Sequence, residues 1–392
     1  MFLEILLSLS NSCTSMIQNG LSISNVTFKA ICWIAAVFMI GFWIFNYYQN
    51  DDVSAIQYVS FDTKTNIAYP ELSICISKPF IYQNLSLDVS AVEYNRYLVG
   101  LTAFREEYRR VSFDSVTLNL LEHVQSLIIR KRDENEVTTK AVSCHGVENC
   151  SFVKSKRNYV GTTIGPPAIY RCFGFEIDQQ ITGNIESLMV VFKTGLQDLL
   201  TKIRDYNRGR TYLVFNFPGQ MIKGITNRER IWKSLSKEDG KLIYIKANSM
   251  EVLKRRHKNK EPCLLHWARF DEMVLKKHES NLSCSPPYQK SRMPLCTTMR
   301  EIADSMYETV KMRRTYGKEP CEEMINLAYE VMGINPRAVY PENLKVIYSY
   351  PTSAKVIHQV RSIDLHALIG NIGGYIGLFL GKNYSIRFTN AT

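Results

Sequence analysis

The stretch best suited to chemistry is the last apolar one, Leu365 to Gly381, reading LHALIGNIGGYIGLFLG. It carries no charge between Asp364 and Lys382, and it holds five glycines: Gly370, Gly373, Gly374, Gly377 and Gly381. Gly373, Gly377 and Gly381 recur every fourth residue and so share one face of a helix, with Gly370 about one turn earlier. Each glycine inside a helix costs about 1 kcal/mol of propensity, so a row of them marks a place where something must come close to the backbone. Two readings fit: a small-residue packing face between membrane helices, or the lining of a pore where several copies of one helix meet around a narrow axis. The spacing does not choose between them.

The second group is the cysteines. Of ten, eight fall between residues 51 and 364: Cys75, Cys144, Cys150, Cys172, Cys263, Cys284, Cys296 and Cys321. An even number within one segment suits a disulfide framework in an oxidising compartment. Three N-x-S/T sequons, at Asn84, Asn149 and Asn281, lie in the same segment and point the same way. The histidines offer no zinc-ligand spacing. No Ser-His-Asp arrangement, P-loop or dinucleotide fingerprint is present. No metal, no cofactor and no enzymatic activity are expected.

These residues need elements to position them. The chain has 392 residues, 45% hydrophobic and 22% charged, ample for a core. Its net charge of +11 resides mostly in the middle, since only Lys29, Lys382, Arg387 and the acid Glu4 lie outside 51–364. Nothing in it resembles a reader of bases, so nucleic acid is not an expected partner. Phe28 to Tyr48 is apolar after Lys29, supplies the ~20 residues that span a bilayer, and gathers its aromatics at the far end. The expected organisation is a cytosolic segment 1–27, a first transmembrane helix 28–48, an extracellular domain 49–364, the start of a second transmembrane helix 365–381, and a tail 382–392.

Within the outer segment, residues 69–75, 171–175 and 212–217 read as strands. Residues 115–131 carry leucines and isoleucines at near-helical spacing, and 250–330 reads as helical and cysteine-bearing. Leu344–Tyr350 and Lys355–Ile363 read as a final strand pair joined by Pro351-Thr352-Ser353. The basic run Arg255-Arg256-His257-Lys258 and the acid pairs Glu106-Glu107, Asp133-Glu134 and Glu322-Glu323 read as solvated helix faces. The fold class is thus a membrane protein with two helices flanking a disulfide-stapled α+β extracellular domain, the second helix truncated.

Four stretches resemble the epithelial sodium channel/degenerin family of trimeric, often amiloride-sensitive cation channels. YPELSIC (69–75) is similar to the family's F-P-x-V-T-I-C strand, RCFGFE (171–176) to its C-Y-T-F-N strand, and VFNFPGQ (214–220) to its I-H-x-P-G-Q strand. LIGNIGGYIGLFLG (368–381) resembles the start of its second membrane helix. The resemblance spans residues 28 to 381. It implies disulfides Cys75–Cys172 and Cys144–Cys150, with Cys263–Cys321 and Cys284–Cys296 as a reduced set stapling a helical thumb. Each such closure contributes about 2–4 kcal/mol. It implies that Tyr47 and Tyr48 couple the membrane helices to the outer domain, although interfacial anchoring explains them equally. Gly370 matches the small position at the outer pore mouth, and Gly381 the first residue of the G-x-S filter. The implied protein is a homo- or hetero-trimer in the plasma membrane with both termini cytosolic, passing Na+ and needing no cofactor.

Three positions depart from the family pattern. Asn19-Gly20 stands where a His-Gly pair serves gating, and Asn216 where a histidine is usual. After Gly381 the chain reads KNYSIRFTNAT in place of a small residue, a serine and a further apolar half-helix. Three copies of Lys382 meeting about 8 Å apart, at an effective dielectric near 20, would repel by about 2 kcal/mol per pair. Positive rings favour anions. The sequence therefore also fits a non-conducting subunit that associates with full-length relatives and regulates them.

Overall fold

The structure is a computed structural model. It describes residues 25–49, 51–61, 67–132, 139–162, 169–178, 184–221, 232–234, 242–257, 262–265, 270–288, 293–305, 319–333 and 343–388. In chain order the first elements are α1 (Asn25–Gln49), β1 (Asp52–Ser60), β2 (Glu71–Ser77), β3 (Asn84–Ser86), β4 (Val89–Ser90), α2 (Ala91–Leu98) and α3 (Phe113–Val116). Next come β5 (Val124–Arg132), β6 (Thr139–His145), β7 (Val153–Thr162), β8 (Ile169–Ile177), β9 (Asn184–Phe192), α4 (Leu196–Asn207), β10 (Thr211–Asn216) and β11 (Trp232–Ser234). Last are β12 (Leu242–Lys254), α5 (Phe270–Asn281), β13 (Glu322–Gly333), β14 (Lys345–Ser349), β15 (Ser353–Arg361) and α6 (Leu365–Phe388). The chain divides into two compact units, Met1–Val53 with Arg361–Thr392, and Ser54–Val360.

The larger unit is strand-dominated, with fewer and shorter helices than an α+β reading expects. One sheet runs β1-β15-β12-β14-β9-β5-β6, with β13 also on β12; a second runs β11-β10-β2-β8-β7. Every residue of β2 and β8 is buried, including the polar Glu71, Ser73, Ser77, Arg171 and Glu176. The polar residues among them answer one another. Ser73 Oγ donates to Glu71 Oε1 (3.1 Å), and Asn216 Nδ2 donates to Ser73 Oγ (3.0 Å). Gly174 faces this group: a Cβ there would lie 2.0 Å from Glu71 Oε1. Any side chain in place of the glycine of RCFGFE would have to displace the buried Glu71 carboxylate.

The near-helical spacing over 115–131 corresponds to a short 3-10 turn (Leu120–His123) followed by strand β5. The ladder with β9 shifts register between Val124 and Ser126. The extra residue puts Val124 and Leu127 on the same buried side and so imitates a helical interval. The same device operates in β12, where a shift between Ala247 and Ser249 separates buried Ala247 and Met250 by three. Residues 250–330 are likewise not mainly helical among the described residues. β12 and β13 pair antiparallel from Ile243↔Gly333 to Lys254↔Glu322, and this pairing overrides the helix-favouring Glu, Met, Leu and Ala of β13.

β14 and β15 do not form the expected pair. Both run parallel to β12, β14 from Leu242↔Lys345 to Lys246↔Ser349 and β15 from Met250↔Ala354 to Lys254↔His358. They are two segments of one line, broken at Pro351, which has no N–H to give a ladder. Beside the break, Tyr350 N donates to Glu186 O (2.9 Å) and Thr352 O accepts from Phe61 N (3.2 Å).

The charged pairs read as solvated helix faces mostly lie elsewhere. Glu323 is buried on β13 and pairs with Arg255, which follows the end of β12. Glu322 pairs with Lys254 at 3.2 Å. Glu106 and Glu107 are in a 3-10 turn, paired with Arg109 (3.4 Å) and Arg105 (3.4 Å). Asp133-Glu134 lies outside the described residues.

Candidate functional site

In the smaller unit α1 and α6 pack together. Ala36 and Met39 are buried on α1. On α6 Leu368 is buried and Asn371, Ile372 and Tyr375 are half-buried, one stripe at helical spacing. The glycines point elsewhere. A Cβ built on Gly370, Gly373, Gly374 or Gly377 would meet nothing within 4 Å, and all four are exposed. Among the described residues, nothing of this chain occupies the face whose sequence demands close approach. Gly381 lies on the same helix, which does not stop there as the sequence suggests but continues through Lys382 to Phe388. Among the described residues no helix is long and apolar enough to cross a membrane. The side chains of residues 25–30, Cys32 and 378–388 lie outside the described residues.

α6 begins on a cap. Asp364 Oδ1 accepts from Ala367 N at 2.6 Å, and its carbonyl accepts from Leu368 N at 2.9 Å. This satisfies an otherwise orphaned donor and places negative charge at the positive helix end. Just before it, Ser362 N donates to Asp51 O (2.9 Å). The Arg361 guanidinium stacks on the Tyr47 ring, 3.6 Å from its centre, and its Nη2 donates to the Tyr47 carbonyl. Tyr48 is 78% exposed and touches Tyr47 edge-on, with ring centres 5.9 Å apart. Of the two tyrosines only Tyr47 ties the start of α6 to the end of α1. Sequence reasoning missed Arg361. Its signal was a cation three residues before the Asp364 cap, with an aromatic cluster closing the earlier apolar run.

In the larger unit the structure forms Cys75–Cys172, Cys144–Cys150, Cys263–Cys321 and Cys284–Cys296. Cys75 and Cys172 stand directly opposite on β2 and β8. Cys284–Cys296 closes a loop that Tyr97 on α2 holds by donating from its hydroxyl to Cys296 O (2.8 Å). His257, Cys263 and Cys321 converge closely enough to suggest a metal centre. Because the two sulfurs are joined, no thiolate is available to ligate.

Asn84 and Asn149 are exposed; the side chain of Asn281 and the whole of Asn19-Gly20 lie outside the described residues. Asn216, standing in the usual histidine position, is a buried structural amide. Arg171, in the RCFGFE stretch, is buried and donates to Thr117 Oγ1 (2.6 Å) and Asp114 Oδ1 (3.3 Å), a role its motif did not disclose.

No family model matches the chain, and no curated protein matches it. Twenty-eight chains of solved structures match. One, the cryo-EM structure of a proton-activated chloride channel, aligns over 93% of this chain and 95% of its own, with 8% identity and a TM-score of 0.30. A likeness that loose carries no argument about this chain.

Proposed function

We propose that the chain is a subunit of a trimeric cation channel of the epithelial sodium channel/degenerin kind, passing Na+ passively across the plasma membrane and blocked by amiloride. In this reading α1 and α6 cross the bilayer, both termini are cytosolic, and the disulfide-bonded unit lies outside. The observation that carries the reading is the outward glycine face of α6. Its opposite stripe is already committed to α1, leaving the glycines free to meet equivalent helices around an axis. The four motif stretches, found in order on β2, β8, β10 and α6, support the family.

The test is voltage clamp of cells expressing the full chain, alone and with related subunits. An inward Na+ current blocked by amiloride is expected. Its absence in every combination would reject conduction.

A second reading has its own observation. Lys382 is within α6, directly after Gly381, where three copies would raise a barrier to cations. On this reading the chain associates with conducting relatives and lowers their current. Co-expression would then reduce the partner's current or its surface abundance, and an unchanged partner would remove this alternative.

A further inference from the structure

The larger unit holds a cavity of about 360 Å³ between α2, the segment after β2 and the end of α4. That volume is within the ~300–1,000 Å³ range of small-molecule sites. Two cations, Lys78 and Arg96, line it, and no acid does. Among the described residues neither side chain has a hydrogen bond or ion pair. The nearest acid on α2, Glu93, is engaged with Ser90 and with Arg105 at 3.7 Å.

Asn95, only 6% exposed, also lines the cavity. Its Oδ1 accepts from Ile169 N at 3.5 Å, which leaves its Nδ2 as a donor without a partner among the described residues. Three of the last four carbonyls of α2, which would repel an anion, are occupied. Those of Asn95, Arg96 and Tyr97 accept from Val99 N, Leu101 N and Gly100 N at 3.1, 2.7 and 2.9 Å.

The remaining wall is apolar apart from Asn207: Phe80 is fully buried, and Val92 and Leu101 are exposed on the rim, while Asn207 Oδ1 is a buried acceptor with no partner among the described residues. Asn207 fixes the Phe80 segment by donating from Nδ2 to its carbonyl (2.8 Å). Lys78 is held in the left-handed region, φ 47°, immediately before Pro79, a costly conformation for a non-glycine residue. Two unpaired positive charges and a free amide donor outweigh the single unpartnered acceptor, Asn207 Oδ1, and with the apolar residues define one ligand chemistry.

We propose that this cavity binds a small organic anion, a carboxylate on a short apolar body. The carboxylate meets Lys78, Arg96 and Asn95 Nδ2, and the body lies against Phe80, Val92 and Leu101. The site is wholly within the larger unit and its test needs no current, so it stands or falls independently of conduction.

The experiment is calorimetric titration of the detergent-solubilised full chain with 3-phenylpropionate, and with 3-phenylpropylamine as the cationic counterpart. Saturable binding of the acid and none of the amine is expected. Affinity should fall about tenfold or more in Arg96→Met and again in Lys78→Met, as loss of a charged hydrogen-bond partner implies. Arg96 is exposed, so that variant keeps its fold, and an unchanged melting temperature checks this. No saturable binding of the acid, equal binding of the amine, or undiminished binding in both variants would overturn the proposal.

Discussion

The guanidinium carbon of Arg361 lies 3.6 Å above the centre of the Tyr47 ring, and the same side chain donates to the Tyr47 carbonyl. The residues are 314 positions apart, yet they fix the start of α6 against the end of α1. A stacked cation of this kind contributes about 0.5–2 kcal/mol. A double-mutant cycle of Tyr47→Leu and Arg361→Met, measured by unfolding of the solubilised chain, should return a coupling in that range. Tyr47→Phe should be nearly neutral, since it keeps the ring and the backbone acceptor. A coupling of zero would reduce the pair to mere neighbours.

Gly377 offers a cleaner separation of folding from assembly. Because nothing in the chain lies within 4 Å of its added Cβ, Gly377→Leu should leave the melting temperature of the single chain unchanged or slightly raised. On the proposed trimeric reading it should nonetheless lower the assembled mass of the solubilised protein on a sizing column and abolish any current. A variant that assembles like the wild type would show that this face meets no neighbour.

The disulfides should rank by loop length. Cys75–Cys172 closes 97 residues and Cys144–Cys150 only 6. Loop-closure entropy then predicts losses of about 4–5 and about 2 kcal/mol on removing each bridge. Denaturant unfolding of the Cys75→Ala/Cys172→Ala and Cys144→Ala/Cys150→Ala chains tests the order, and a reversed order would refute it.

The imidazole of His123 is held below its usual pKa chiefly by burial, with Lys193 adding to the effect and Glu122 opposing it. The unfolded chain therefore takes up a proton before the folded one does. Stability from this residue is present above about pH 6.5 and is lost as pH falls through the lower folded value. Thermal unfolding between about pH 7.5 and pH 5 should show a steeper decline for the wild type than for His123→Gln. Parallel curves would mean that this histidine does not titrate in folding.

Asn84 and Asn149 are exposed within N-x-S sequons. If the larger unit matures in the secretory pathway, Asn84→Gln and Asn149→Gln should each remove one glycan step on a gel. Glycosidase should collapse the wild-type ladder. A wild-type chain unaffected by glycosidase would count against an extracellular location.

Strands β8 and β10 were legible because burial on nearly every position writes itself as a largely apolar run, and β2 because Glu71-Leu72-Ser73-Ile74 alternates, although its polar members are buried too. β5 was not, because the register shift at Val124–Ser126 turns a two-residue period into a three-residue gap. β13 was masked by residues that favour helix in isolation and yield to a long ladder with β12. The glycine row of α6 was visible as a demand for close approach. Which way it faces required the positions of Leu368, Ile372 and Tyr375 relative to α1. Arg361 on Tyr47, and the shared cavity that Lys78 and Arg96 line with Asn207, join residues from separate segments of the chain, and no local pattern announces them.

The interruption at Pro351 also divides the larger sheet into parts able to open at different free energies. β14 is clasped between β12 and β9, whereas β15 has β12 on one side and β1, mostly exposed along its length, on the other. With no ladder bond at the proline to couple them, the amides of β15 should exchange with solvent well before those of β14. The two halves of one line along β12 would thereby belong to separate cooperative units.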